Sequence, residues 1–251
     1  MKAVYKKPES LKEEITTYCP GCGHGIIHKL IAEVIDELGI REKTIGVAPV
    51  GCAVLAYNFF NFDVTESAHG RAPAVATGIK RLLPDRIVFT YQGDGDLAAI
   101  GTAEIIHSAA RGENITVIFV NNAIYGMTKG QMAPTTLPEQ KTTTTIYGRN
   151  PIHHGYPLKV CELLSQIEGV CYLERVSIDS VPNIIKTKSA IKKAFLYQIE
   201  NKGFSLIEIL STCPVNWKMT PKEAMNWIKE VMSKYFVLGI YKDKSEQKKE
   251  V

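Results

Sequence analysis

Apolar positions along the chain change their period several times, and each change marks an element. Between Gly25 and Leu38 the residues Ile27, Leu30, Ile31, Val34 and Leu38 recur at helical spacing, and Gly39 stops the run. Thr44 to Val47 reads as a short strand, and Ala74 to Leu83 as a helix ended by Pro84. Arg86–Tyr91 (RIVFTY) and Ile115–Val120 (ITVIFV) are almost unbroken in apolarity, as parallel strands covered on both faces should be. Between them Leu97–Ala110 is helical, with Ala98, Gly101, Ile105 and Ala109 along one side for close packing. A second strand–helix–strand unit follows in Val170–Val176, Pro182–Glu200 and Ser205–Leu210; Pro182 suits the first turn of its helix, where a missing N–H costs nothing. The alternation predicts an α/β fold, a mostly parallel sheet with helices on both faces.

No internal repeat or low-complexity linker divides the sequence, so residues 1–251 are expected to form a single domain. It would carry an N-terminal arm over 1–18 and a charged, frayed tail over 241–251 (YKDKSEQKKEV). From Asn121 to Lys159 periodicity is lost, while Gly, Pro, Thr and His abound. A loop this long is uncommon in a compact domain unless it works as a lid or binding loop. In such folds ligands sit at the carboxyl ends of the strands, and this loop leaves from one.

Composition narrows the class. With 45% hydrophobic and 22% charged residues the chain is an ordinary globular protein. A net charge of +4 with no basic block before the C-terminus gives no nucleic-acid surface, though a mildly basic face suits an acidic protein partner. No apolar run nears the roughly 20 residues that cross a membrane, and the polar start MKAVYKKPESLKEE lacks a secretory core. A cytoplasmic protein is expected, and its six cysteines should then be reduced rather than paired.

Two regions carry chemistry. RIVFTY runs into Gln92-Gly93-Asp94-Gly95-Asp96, and the next strand ends in Asn121-Asn122. Gly93 and Gly95 permit a sharp turn and close approach of a ligand, and the helix start after Gly95 favours an anion. Asp94 and Asn122 bring two hard oxygen ligands to neighbouring strand ends, a set suited to Mg²⁺ with phosphate oxygens and water. Read singly, GDG and NN are turns, and Asp96 is a helix cap. The second region is Cys19-Pro-Gly-Cys22-Gly-His24, a knuckle that alone fits a zinc half-site, a redox pair or a cluster half-site. Cys52 (PVGCA) and Cys213 (STCP) follow strands in similar Gly- or Pro-flanked settings, and four thiolates suit a [4Fe–4S] cluster. Cys161, in an amphipathic helix, and Cys171, in a strand, read as core thiols. His28 and His107 fall on helices as structural residues; His153 and His154, in the long loop, stay unassigned.

The GDG…NN segment resembles the diphosphate-binding motif of thiamine-diphosphate enzymes. Together, YCPGCGHG, VGC, HGRAPAVATG, GDG…NN, YGMTKGQ and STCP resemble the β subunit of 2-oxoacid:ferredoxin oxidoreductases, in order, over roughly residues 15 to 220. The resemblance implies a thiamine-diphosphate-binding fold, with thiamine diphosphate, Mg²⁺ and one [4Fe–4S] cluster as cofactors. Mg²⁺ would be held by Asp94, Asn122 and the Ile124 carbonyl, and the cluster by Cys19, Cys22, Cys52 and Cys213. His24, His69, Gly70 and Arg71 would join Gly93, Asp94, Gly95, Asp96 and Asn122 around the cofactor. The bland alternatives are that His24 caps a turn and Arg71 pairs with a carboxylate such as Glu66. Asn122, Thr128, Lys129 and Gln131 would surround the reacting centre. Lys129 stands where many relatives carry Gly; a cation there suits a substrate carboxylate, which favours 2-oxoglutarate, with 2-oxoisovalerate next.

The implied reaction is the coenzyme A-dependent oxidative decarboxylation of a 2-oxoacid, with electrons leaving one at a time through the cluster to ferredoxin. The carboxylate that activates the aminopyrimidine ring of thiamine is not identifiable in the chain, which implies an α subunit. The lack of a ferredoxin-like cysteine run implies γ or δ subunits, or a soluble ferredoxin. Two other classes fit parts of the pattern: a subunit of a non-redox thiamine decarboxylase, and a non-catalytic zinc-binding module built on Cys19 and Cys22.

Overall fold

Continuous apolar runs become interior strands. The computed structural model describes residues 6–245 around a seven-stranded sheet of order β2-β1-β3-β4-β6-β5-β7. The strands are β1 (Thr44–Ala48), β2 (Asp63–Glu66), β3 (Ile87–Gly93), β4 (Thr116–Asn121), β5 (Val170–Ser177), β6 (Phe204–Leu210) and β7 (Gly239–Asp243). Every neighbouring pair is parallel except β5 with β7. All residues of β4 and β6 are buried, because helices cover both faces. On one face α1 (His24–Leu38) and a later helix, Val181–Ile199, close a core around Ile27, Ile31, Phe89, Ile191 and Phe195. On the other, α2 (Ala72–Leu82), α3 (Thr102–Ala110) and α4 (Val160–Ser165) pack Ala76, Ile105 and Leu164 onto Val88, Val117 and Leu206. This is the expected α/β architecture. Among the described residues no helix is long and apolar enough to cross a membrane.

Three expectations change. The helix expected over Leu97–Ala110 is two pieces: a wide turn, Asp96–Ile100, precedes α3, and the Gly101 N–H reaches back to the Asp96 carbonyl at 2.9 Å. At that junction the 69–70 segment packs directly on the backbone: a methyl group on Gly70 would lie 2.6 Å from the Gly101 nitrogen. The charged tail is not frayed where it begins. Tyr241 and Asp243 belong to β7; the Tyr241 hydroxyl accepts from Arg175 at 2.5 Å, and Asp243 accepts from the Tyr197 hydroxyl at 2.7 Å. The rest of that tail, 246–251, lies outside the described residues, as do residues 1–5 of the N-terminal arm. Finally, β2 is a mostly exposed polar strand that periodicity does not reveal.

The irregular stretch after β4 is organised by one buried cation. Arg149 donates to the carbonyls of Pro134 and Thr136 at 2.9 and 2.6 Å, and to those of Gly155 and Tyr156 at 2.9 Å each. Its planar fork of donors ties the two ends of the loop region together.

Candidate functional site

At the carboxyl ends of β3 and β4 the backbone opens a cleft of about 160 Å³. Its lining includes His24, Cys52, His69, Gly93, Asp94, Gly95, Asp96, Asn122, Ile124, Gly126 and Thr128. Gly93 pairs with Val120, so the β3 and β4 ends are adjacent and Asp94 meets the turn that follows Asn121. That turn is sharp because Ala123 is held at φ +55°, a region L residues rarely adopt. Several bonds enforce it. The Ala123 N–H donates to Asn121 Oδ1 at 3.1 Å, Ile124 N–H to Asn122 Oδ1 at 3.3 Å, and Thr136 Oγ1 to the Ala123 carbonyl at 2.7 Å.

Asp94 is buried, and burial pushes its carboxyl up to about 6, against the hydrogen bonds that favour its charged form. Those bonds come from the Gly95 N–H at 2.8 Å and Thr135 Oγ1 at 2.6 Å. Among the described residues no opposite charge acts on this buried carboxylate, which lies beside Asn122 and the Ile124 backbone, and a divalent cation fits that set. Asp96 behaves differently. Its Oδ1 binds the His69 ring and accepts from the Gly70 N–H at 2.6 Å, and its Oδ2 accepts from Gln92 Nε2 at 2.7 Å. Its carboxylate thus engages His69, Gly70 and Gln92, so the helix-cap reading is replaced by a clamp on the 69–70 segment. Gly70, at φ +77°, lets that segment lie against Gly101.

Two other expected contacts are redirected. Arg71 is exposed and pairs with Glu104 of α3, not with Glu66, and does not line the cleft. His24 lines the cleft but is no cation, because burial alone lowers its pKa to about 4; its Nδ1 lies 2.5 Å from the Tyr91 hydroxyl. Thr128 donates to Gln131 Oε1 at 2.6 Å across a tight hairpin closed by Tyr125 and Gln131. At the hairpin tip Lys129 takes φ +76° and Gly130 φ +83°; the Lys129 side chain is exposed and outside the cleft lining. His153 and His154 are exposed on the short helix Pro151–His154, away from this lining.

The four flanked cysteines converge beside the same loop. Thr212 Oγ1 donates to the Gly21 carbonyl at 2.7 Å, joining the Cys19–Cys22 knuckle to the Ser211–Cys213 segment. Gly23 lies so close to Ser211 that a side chain there would collide. A methyl group on Gly126 would sit 3.3 Å from Cys52 Sγ and 3.6 Å from Cys213 Sγ. Burial pushes the Cys22 thiol up to about 12 and Cys52 to about 11, and Cys19, Cys52 and Cys213 add to the effect on Cys22. Thiols become strong metal donors once deprotonated, so burial without a metal keeps these in the neutral form. Among the described residues no three His, Cys, Asp or Glu side chains are placed to hold a single metal ion. Cys161 and Cys171 are buried in the two cores, as expected.

Residue patterns did not point to Thr135, Gly126, Asn216 or Trp217. Thr135 reaches Asp94 across 41 positions of sequence, which no local motif encodes. Asn216 and Trp217 lie in the short helix Pro214–Trp217 that follows Cys213, and nearness to that cysteine is the signal sequence offers for them.

Residues 49–209 match the family described as thiamine pyrophosphate enzyme, C-terminal TPP binding domain. The chain is 47% identical, over 98% of its length, to the ketoisovalerate oxidoreductase subunit VorA of Methanothermobacter thermautotrophicus, of which it covers 54%. The chain thus spans about half the length of that curated relative. It is 37% identical over 85% of its length to the 2-oxoglutarate synthase subunit KorB of Methanocaldococcus jannaschii, covering 77% of that protein. Among solved structures it resembles 2-oxoglutarate:ferredoxin oxidoreductase from Magnetococcus marinus with 2-oxoglutarate, coenzyme A and succinyl-CoA bound. The TM-score is 0.73 at 32% identity, over 84% of this chain and 69% of that one.

Proposed function

The chain belongs to the 2-oxoacid:ferredoxin oxidoreductases, as a thiamine-diphosphate-binding subunit, and from that premise we propose that it contributes two parts of a larger active site. These are the diphosphate–Mg²⁺ half of the thiamine site and one [4Fe–4S] cluster, in the coenzyme A-dependent oxidative decarboxylation of a 2-oxoacid. The observation that carries the reading is Gly126. Cys52 and Cys213 pack against it, and it lies in the same loop as Asn122 and Ile124, so the proposed cluster ligands adjoin the backbone segment that carries the proposed cation ligands. A low-potential acceptor beside the cofactor is what one-electron oxidation requires.

Asp94, Asn122 and the Ile124 carbonyl hold Mg²⁺, with Thr135 fixing Asp94. Gly93 and Gly95 admit the diphosphate close to the backbone. His24, neutral and hydrogen-bonded to Tyr91, offers the cofactor a polar contact without charge. Asp96 keeps His69 and Gly70 at the cleft edge. Cys19, Cys22, Cys52 and Cys213 ligate the cluster. When bound, thiamine diphosphate supplies the electron sink for decarboxylation. An α subunit supplies the missing carboxylate, and ferredoxin, directly or through γ or δ subunits, takes the electrons.

For the substrate, two observations move the preference from 2-oxoglutarate to a branched-chain 2-oxoacid. Lys129 is exposed and does not line the cleft, whose lining includes the apolar Val50, Ala53 and Met127, and identity is higher to ketoisovalerate subunits than to 2-oxoglutarate ones. The test is the anaerobically purified complex. It should be brown, with about four iron atoms in this chain, and should reduce a viologen dye faster with 2-oxoisovalerate than with 2-oxoglutarate in the presence of coenzyme A. A colourless, zinc-loaded chain overturns the cluster reading. A 2-oxoglutarate preference that Lys129→Gly abolishes restores the role first read for Lys129.

A further inference from the structure

Cys213 leads into a short helix, Pro214–Trp217, whose last two side chains turn back into the site. Asn216 uses one amide nitrogen on two partners: Nδ2 donates to Cys213 Sγ at 3.2 Å and to the Gly126 carbonyl at 2.8 Å. Its other flank packs against the hairpin tip, where a methyl group on Gly130 would lie 3.1 Å from Asn216 Cβ. Next to it, Trp217 Nε1 donates to the Asn122 carbonyl at 3.1 Å. One half-buried amide therefore touches a thiol, the loop that packs against two thiols, and the hairpin beyond it.

Holding four cysteines does not require such a donor. A hydrogen bond to sulfur has a second effect: it stabilises whichever state places more negative charge on that sulfur. A cluster that has gained one electron carries more charge on its sulfur ligands than the oxidised form.

We propose that Asn216 is a positioning residue that ties Cys213 to the 122–131 loop, and that its N–H···S bond makes a cluster held by Cys213 easier to reduce. This rests on the cluster reading above. The carbonyl of Gly126 fixes the rotamer that aims the second N–H at sulfur, so the geometry of the cleft loop is transmitted to the cluster ligand.

The experiment compares the anaerobically purified complex with its Asn216→Leu and Asn216→Asp forms. The reduced-to-oxidised cluster ratio is read by electron paramagnetic resonance at one fixed potential set by a redox dye, together with iron content. With iron retained, the ratio should fall about fivefold in Asn216→Leu, as expected for the loss of one neutral hydrogen bond. It should fall further in Asn216→Asp, which presents a carboxylate in place of the donor. Ratios in both variants within twofold of the unmodified protein, with iron retained, overturn the proposal. If both variants lose iron, Asn216→Gln decides. An iron-loaded Gln form with a near-native ratio supports the donor role, and loss of iron there too overturns it in favour of simple packing. Absence of iron from the unmodified complex defeats the cluster reading itself, a separate outcome.

Discussion

Asp94 shows how one residue couples burial, charge and cofactor binding. Its folded pKa of about 6 lies above the ordinary 3.8, so between those values the folded chain binds more protons than the unfolded one. Stability of the metal-free protein therefore falls as pH rises through roughly 4 to 6, by an amount on the order of 3 kcal/mol. A divalent cation offsets that loss only where Asp94 is ionised. Mg²⁺ with thiamine diphosphate should accordingly raise the melting temperature more at pH 7.5 than at pH 5, and an equal shift at both would contradict this role. Thr135→Val, which removes the 2.6 Å bond to Asp94, should lower Mg²⁺ affinity about 10–100-fold in a cofactor titration. At this scale the sequence reveals residues whose chemistry is written in local strings, such as Asp94 in GDG and the flanked cysteines. It hides those that act by tertiary approach. Thr135 and Arg149 have no local signature, Asn216 has only its nearness to Cys213, and Arg71 and Asp96 have partners that only folding selects.

Elements were legible in proportion to how fully they are buried. β3, β4 and β6 are buried along almost their whole length and read as mostly apolar runs, whereas β2 and β7 are short, incompletely buried edge strands with no such signal. What holds β7 is a buried polar row that periodicity cannot show. Arg175 of β5 pairs with Glu208 of β6 at 2.9 Å and with Glu162 of α4 at 2.6 Å, and also donates to Tyr241 of β7. Glu208 in turn accepts from Asn121 Nδ2 at 2.8 Å, one residue before the proposed cation ligand. Burying a charge pair is weak evidence for stability, but breaking one is costly. Arg175→Met should destabilise the protein by about 3–5 kcal/mol, read from the urea midpoint. The double variant Arg175→Met with Glu208→Leu should recover part of that loss. Recovery stays incomplete because Asn121 then loses its partner; a double variant no more stable than the single one would show that the uncompensated carboxylate is not the cause.

As a whole, the molecule gathers its candidate functional groups at the carboxyl ends of its interior strands and leaves that end of the sheet partly uncovered. Val50 and Met127, both lining the cleft, are each 46% exposed. Apolar side chains at the mouth of a polar cleft are what a covering subunit would bury. The carboxylates in the cleft lining are Asp94 and Asp96, and both have their oxygens engaged: Asp94 by Thr135 and backbone amides, Asp96 by His69, Gly70 and Gln92. With those partners kept, neither is free to serve as the acid–base group for the aminopyrimidine ring of thiamine. The isolated chain should therefore bind thiamine diphosphate with Mg²⁺ yet leave its reactive carbon inert. Exchange of the thiazolium C2 proton for deuterium, followed by NMR, should be slow in the isolated chain. Addition of the α subunit should accelerate it by about 10²-fold or more, the range in which a positioned acid–base group contributes. Full-rate exchange in the isolated chain would mean that the activating carboxylate lies within it. Asp94→Asn should abolish cofactor binding in both settings, which separates loss of the diphosphate half from loss of the partner's half.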